Sequence, residues 1–542
     1  MARPWTLCFA LVIFVAPSLC AQSGATFYVS TSGSDSNNGS YTSPWLTIQH
    51  AANTVTAGAT VYVEAGTYNE SVNFPNSGTP SEPITFENYP GQTPTIDGTG
   101  VKCCTSNPPS SGNETQGLIT IVNGSYITVS GFEIRNFTTS SAAPTPAGVW
   151  ITGSGTGVQI VNNMVHNITT TSEKNGNAFG IAVYGTSSTP ISNLTISGNQ
   201  VYDLKTGESE SVNVDGNVTY FTISNNIVHD NDNIGIDAIG FEGVGPSGSD
   251  QARYGEISGN TVYNISAIHN AGEGDEYDAD GLYCDGCEYV IFERNTVYKC
   301  DLNMEAASEH SGHDSSYVTI RNNVFYDANT VGISIGGYSN AVGGSDHVVI
   351  VNNTLYNNNT KNQGAEFQIQ YHSGSSSGNI FENNIVYAGK QNVWIYSYVK
   401  PTSSYPAPPA TLNWNVYYST AGYVQSTSID WAGKYNYKTY ADYQSGSGED
   451  ANSPNADPLF DDLTSTPPDL DIASNSPAVN AGSTNLTCSQ GYCGCGSSIY
   501  GSVDYAGNPR VNGSGQINIG AYEQQRTETQ WHCPAKLIAG LF

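Results

Sequence analysis

Eight copies of one short pattern constrain this chain more than any other feature: two apolar residues two apart, an asparagine, and another apolar residue two further on. They read VQIVNNMV, LTISGNQV, FTISNNIV, GEISGNTV, VIFERNTV, VTIRNNVF, VVIVNNTL and NIFENNIV, and the shared residue falls at Asn163, Asn199, Asn226, Asn260, Asn295, Asn323, Asn353 and Asn384. ITVSGFEI, at Ile127 to Ile134, extends the register backwards. Steps of 27 to 36 residues, made of short alternating strands with almost no helical period, predict a solenoid that adds one rung per repeat. An inward asparagine at each turn can bond the rungs above and below, which offsets the cost of burying its amide. Leucine-rich repeats also carry Asn but lack this Val/Ile alternation. The expected fold is all-β, a right-handed parallel β-helix.

An open solenoid exposes its core and its strand edges at both ends. PWLTIQHAANTV, from Pro44, suits a short amphipathic helix over the first rung. The expected organisation is a signal peptide over 1–21, a cap and first coils over 22–100, the β-helix with its cleft over 101–400, a Tyr/Ser-rich excursion over 401–455, a closing segment over 456–524 and a tail over 525–542. The signal peptide rests on Arg3, the apolar run Leu7 to Ala16 and small residues near Ala21. Secretion, to the extracellular space or the periplasm, is the expected location. No later apolar run reaches membrane-spanning length.

Charged residues make up only 12% of the chain and the formal net charge is −30. Nucleic acid is excluded as a partner because phosphate binding needs basic clusters, and polyanionic glycans are disfavoured. The expected partner is an oligo- or polysaccharide, bound by a monomer. Of 11 cysteines, nine lie beyond the signal peptide; in an exported chain they read as disulfides, and an odd number leaves one thiol over.

A second strand recurs as Gly-apolar-x-apolar-x-Gly: GIAVYG, GIDAIG, GLYCDG and GISIGG. Alternation sends Ile181, Ile236, Leu282 and Ile333 inward and the residues between them to solvent. Stacked about 4.8 Å apart, Asp215, Asp237, Asp285 and Glu305 then form an acidic stripe. Like charges so stacked repel, and a purely structural sheet tends to avoid them. GEGDEYDADGLYCDGCEYVIFERN, Gly272 to Asn295, is the densest part: Asp278 enters the strand and Asp285 points outward at its end. Two carboxyls on one cleft suit glycoside hydrolysis, one protonating the leaving oxygen while the other attacks or activates water. Mutual repulsion would keep one protonated near neutrality. These are the candidate catalytic residues; Asp215, Asp237, Tyr283, Glu305, Glu309 and His310 are the candidate substrate-binding residues.

DADGLYCDG, in which Asp278 and Asp285 lie seven apart, resembles the catalytic stretch of glycoside hydrolase family 136, the bacterial lacto-N-biosidases, which are retaining β-helix enzymes. The resemblance implies that Asp278 is the acid/base and Asp285 the nucleophile, with no cofactor and no metal; it covers about ten residues and does not extend to the sugar. The opening FYVSTSGSDSNNGSYTSPWLTIQHAANTVTAGATVYVEAGTY resembles the entry segment of many bacterial right-handed β-helix proteins, and ADPLFDD, SPAVNAGS and DYAGNPRVNGSGQINIGAYE resemble their closing segment.

Two other readings compete. A β-helix polysaccharide lyase would bind Ca²⁺ through Asp clusters and use Lys or Arg as base. EYDADG partly matches a calcium loop, but Cys287 stands where that loop needs Glu; Lys299 and Arg321 are the candidate bases. A glycan-binding surface protein needs no catalytic pair, and Trp414 and Trp431 would serve it as stacking platforms.

Overall fold

The computed structural model describes residues 24–524, apart from 103–113, 141–143, 371–376, 398–409, 421–428, 431–436 and 487–498 and positions 173, 175, 275, 340, 392 and 438. The expected signal peptide, Trp431 and six of the nine cysteines lie outside the described residues. Three parallel sheets of 16, 12 and 12 strands wind into a β-solenoid, with one small antiparallel pair, Phe460–Asp462 with Asp469–Ile472, beside it. Val, Ile and Phe from all three sheets fill the interior, among them Phe86, Phe221, Phe292, Phe325 and Phe381, each no more than 2% exposed. The helix expected near Pro44 spans Ile48–Thr54 and buries Ile48, Ala51 and Ala52 over the first rung, with the Thr47 side chain capping its start.

The repeated asparagines form one continuous internal ladder. Asn163 donates from both its backbone N and its Nδ2 to Asn199 Oδ1, at 2.9 and 3.1 Å. The same double bond recurs at every step to Asn384, which bonds Asn415 in the same way. Each Nδ2 also donates to a carbonyl of the preceding coil, such as Ile160 O from Asn199 and Ile257 O from Asn295. The residue before each ladder Asn is left-handed, which explains why Gly and Asn dominate there (Gly198 φ 69°, Asn225 φ 56°), although Arg294 and Trp414 adopt the same conformation. Asp450 ends the ladder: it accepts from Asn415 Nδ2 and from the Tyr417 and Tyr443 hydroxyls.

The excursion expected over 401–455 is corrected by these contacts. Its described residues add a further coil, Thr411–Asn413, Val416–Ser419 and Ile429–Asp430, each paired in parallel to the coil before, followed by a helix, Tyr440–Ser447. The spacing of the repeat was hidden in the sequence by Trp414 standing where neighbouring coils carry Asn or Gly. Past Asp450 the closing segment runs back along the solenoid's flank. Tyr500, Asn518 and Ser483 carbonyls accept from Asn322, Asn352 and Asn383 respectively, which satisfies amides at the exposed edge of the turns.

Candidate active site

The second sheet carries the acidic residues. Its strands Val212–Gly216, Ile236–Ile239, Asp280–Asp285, Leu302–Ala307, Val331–Ile335 and Phe367–Ile369 stack in parallel. Ile236, Leu282, Met304 and Ile333 face inward and are fully buried, as alternation requires, and so is Cys284. Register divides the expected single stripe into two columns. Asn213, Asp237, Tyr283, Glu305 and Ser334 align in one; Asp215 pairs with Ile239 and Asp285 with Ala307 two residues further along.

The expectation that these side chains open to solvent is overturned. Asp215 and Asp237 are 2% exposed, Asp285 5% and Glu305 9%. Loops at both ends of the strands rise over the sheet and enclose a cleft of about 900 Å³. One wall is 266–279, whose two ends are tied by Asp301 Oδ2, accepting from Ala267 N at 2.8 Å and Ala279 N at 3.3 Å. The other wall combines 240–250, pinned by Asp250 to Gly243 N and Gly245 N, with 308–314; Phe241 stacks on His313 at 4.1 Å between centroids. Behind Asp285, a buried Cys284–Cys287 disulfide joins one strand to the next, and Cys300 is a free buried thiol.

Asp278, Asp285, Asp215, Asp237, Tyr283, Glu305 and Glu309 all line this cleft. His310 meets it from behind, with Nε2 3.2 Å from Glu242 Oε1 and 3.8 Å from Asp285 Oδ2. Sequence reasoning missed Asp280, Glu210, Glu242 and Glu273, which also line it. Asp280 escaped because alternation fails at the start of its strand. A Cβ on Gly281 would sit 2.5 Å from Val297 Cγ1, so Gly281 and Leu282 both face the core and Asp280 turns out to the cleft. Glu242 sits in GFEGVGPSGSD, a Gly- and Ser-rich insertion after a strand, and such insertions signal a loop that can wall a site.

Electrostatics separate the two expected catalytic residues. The seat of Asp278 in the cleft wall desolvates its carboxylate, and with Asp301 and Glu276 beside it the group is pushed up to about 6. Burial, then the charge of Glu309, raise Asp285 as well; a hydrogen bond from Glu309 N at 2.9 Å and the charge of His310 oppose this. The repulsion on Asp285 thus comes from Glu309 and Glu242, where the sequence pointed to Asp278. Glu242 in turn raises His310 by a direct side-chain contact. Burial lifts Glu305 to about 7, with Gln370 donating to it at 2.7 Å. Asp237 and Asp280 are also raised by burial, and Asp280 by Glu305 beside it. Asp280 and Asp285 begin and end an extended strand, so their α-carbons lie on the order of 15 Å apart, and Asp278 stands at the same end as Asp280.

A Ca²⁺ site, which the lyase reading calls for, is not met by the unpartnered acids: Asp215 Oδ1, Asp237 Oδ1 and Asp280 Oδ1 are buried without a hydrogen-bond partner, but register spreads them along the sheet, and the group of ligand atoms within 4.8 Å of one another among the described residues is Glu242, Asp285 and His310. The candidate lyase bases do not join them. Lys299 occupies a left-handed turn, Arg321 is buried against Glu293 at 2.6 Å, and no Lys or Arg is among the described residues lining the cleft. Trp414 takes the left-handed turn position before Asn415 and bonds through its backbone to Asn413.

Coils, ladder and walled cleft define a protein of the right-handed β-helix class, and the family model described as Pel9A-like, right-handed beta helix region matches residues 27–191. The uncharacterized protein YwoF of Bacillus subtilis (strain 168) is 37% identical over 457 residues, which cover 84% of this chain and 92% of that protein. The chain belongs to the family of YwoF. Pectate lyase PEL9 of Emericella nidulans is 41% identical over a shorter stretch of 76 residues, 14% of this chain and 18% of that protein. Among solved structures, the native GH136 lacto-N-biosidase from Eubacterium ramulus is 14% identical with a TM-score of 0.47, covering 73% of this chain and 64% of that one, less than two thirds of its length. Pectate lyase Pel9A is 14% identical with a TM-score of 0.44, covering 93% and 98%. Structural neighbours therefore include both a glycoside hydrolase and a polysaccharide lyase. Among the described residues no helix is long and apolar enough to cross a membrane.

Proposed function

We propose that this protein is a glycoside hydrolase that works with carboxyl groups of the acidic cleft, Asp278 and Asp285 being the pair that act on the bond. The observation carrying the proposal is a walled cleft of about 900 Å³ that both residues line, Asp285 at the end of the strand Asp280–Asp285 and Asp278 two residues before its start. Burial raises both groups, and Glu309 presses on Asp285 as well; one of the two protonates the leaving oxygen while the other attacks or activates water. Tyr283, Glu305 and Asp237 supply the cleft floor, and Glu309 and His310 set the proton affinity of Asp285.

The test is Asp278→Asn and Asp285→Asn, each assayed for new reducing ends on a panel of neutral and amino oligosaccharides. Loss of about 10²-fold or more in either is expected for a general acid or base. Unchanged turnover removes that residue from the mechanism.

A lyase is the second reading, favoured by the carboxyls lining the cleft and opposed by the lack of a basic residue on it. In it a cation held by carboxylates of the cleft would acidify and neutralise a uronate. Ultraviolet-absorbing products, and loss of activity with chelator, would select it.

A further inference from the structure

Twelve carboxyl side chains line the cleft among its described residues, with no Lys or Arg beside them. Lys361 lies outside, with Nζ 5.2 Å from the centroid of the Tyr277 ring. Three of the twelve, Asp215, Asp237 and Asp280, are at least 97% buried and keep a carboxyl oxygen with no hydrogen-bond donor. A buried acceptor without a donor costs about 1–3 kcal/mol, so the free cleft is incomplete, and what completes it must bring donors. A neutral glycan brings hydroxyls but no charge to offset the crowding of the acids. A uronate adds to that repulsion. An ammonium brings three donors and a compensating charge at once.

We propose that the ligand of this cleft is an oligosaccharide carrying free amino groups, a chain of 2-amino-2-deoxy sugars in their ammonium form. This deepens the hydrolase reading by naming its substrate class, and it rests on that reading only for the cleavage step. Several features follow from one cause. The cleft floor holds unpartnered Asp oxygens on neighbouring coils, Asp215 on one and, two residues out of register, Asp237 on the next, so more than one amine along a chain can meet an acid. The net charge of −30 steers a polycation toward the molecule at low ionic strength. Burial and crowding raise the free carboxyls; an entering ammonium favours their charged form. Binding therefore releases protons.

The experiment is calorimetric titration of the full chain with the glucosamine hexamer, the N-acetylglucosamine hexamer and the glucose hexamer at pH 6, at low and high salt and in two buffers of different ionisation enthalpy. Expected is at least tenfold tighter binding of the amine form, lost in salt, with proton release to the buffer. Asp215→Asn and Asp237→Asn each reduce that preference, with far-ultraviolet circular dichroism and an unchanged cooperative thermal transition showing that the variants fold. Equal affinity for the amine and acetylated forms overturns the proposal. So does calcium chloride alone, if it binds one to one and the amine hexamer then gains nothing. If a neutral hexamer is cleaved and the amine form is not preferred, this inference falls and the hydrolase stands. If the amine form is preferred and no bond breaks, the hydrolase falls and the binding inference stands.

Discussion

Replacing Asn295 by Ala cuts the internal ladder at its middle rung, and its cost can be worked bond by bond. Asn295 Oδ1 accepts from Asn260 N at 2.9 Å and Asn260 Nδ2 at 3.0 Å, while Asn295 Nδ2 donates to Ile257 O at 2.9 Å and Asn323 Oδ1 at 3.0 Å. Without the carboxamide, Asn260 Nδ2 keeps Ile223 O and Asn323 Oδ1 keeps Asn295 N. Asn260 N loses its acceptor in a fully buried position. One orphaned donor at about 1–3 kcal/mol and three further lost bonds at about 0.5–1.5 kcal/mol each give a loss of roughly 2.5–7.5 kcal/mol. For a unit of roughly 400 residues, with an unfolding entropy near 2.1 cal/mol/K per residue, that lowers Tm by about 3–9 °C. Calorimetry measures the shift, and hydrogen exchange at the Asn260 amide should accelerate far more than at Val61, several coils away. A shift below 1 °C with unchanged exchange at Asn260 would refute the idea that the ladder contributes net stability.

Stability should also fall as pH rises. The Glu366 carboxyl is fully buried and burial raises it to about 8 in the fold. Between its ordinary value of 4.5 and about 8 the folded state holds a proton that the unfolded state has lost, so unfolding is progressively favoured across that window; Tm should drop from pH 5 to pH 8, and Glu366→Gln should flatten the slope. Glu242→Gln should lower the apparent pKa of His310 by NMR titration, because Glu242 is the main group holding His310 in its charged form. Alkylation at Cys300, followed by peptide mass spectrometry, should be undetectable until the protein is unfolded, since the thiol is fully buried and burial pushes its pKa up.

The sequence by itself determined what repeats. Asn163 through Asn384 marked the rungs because each sits at the same place in a periodic strand-turn unit, and inward Ile236, Leu282 and Ile333 followed from two-residue alternation, which is a local property of the backbone. The entry helix at Ile48 was legible for the same reason. The tertiary structure alone decided how many residues each loop spends between strands, and therefore which coils align. That split Asp237 and Glu305 from Asp215 and Asp285, and it turned Asp280 outward where Gly281 breaks the alternation. It also decided burial: carboxyls that alternation sends outward, toward water, lie desolvated because 266–279, 240–250 and 308–314 close over them. Desolvation depends on what covers a group, and the covering residues come from other turns of the chain.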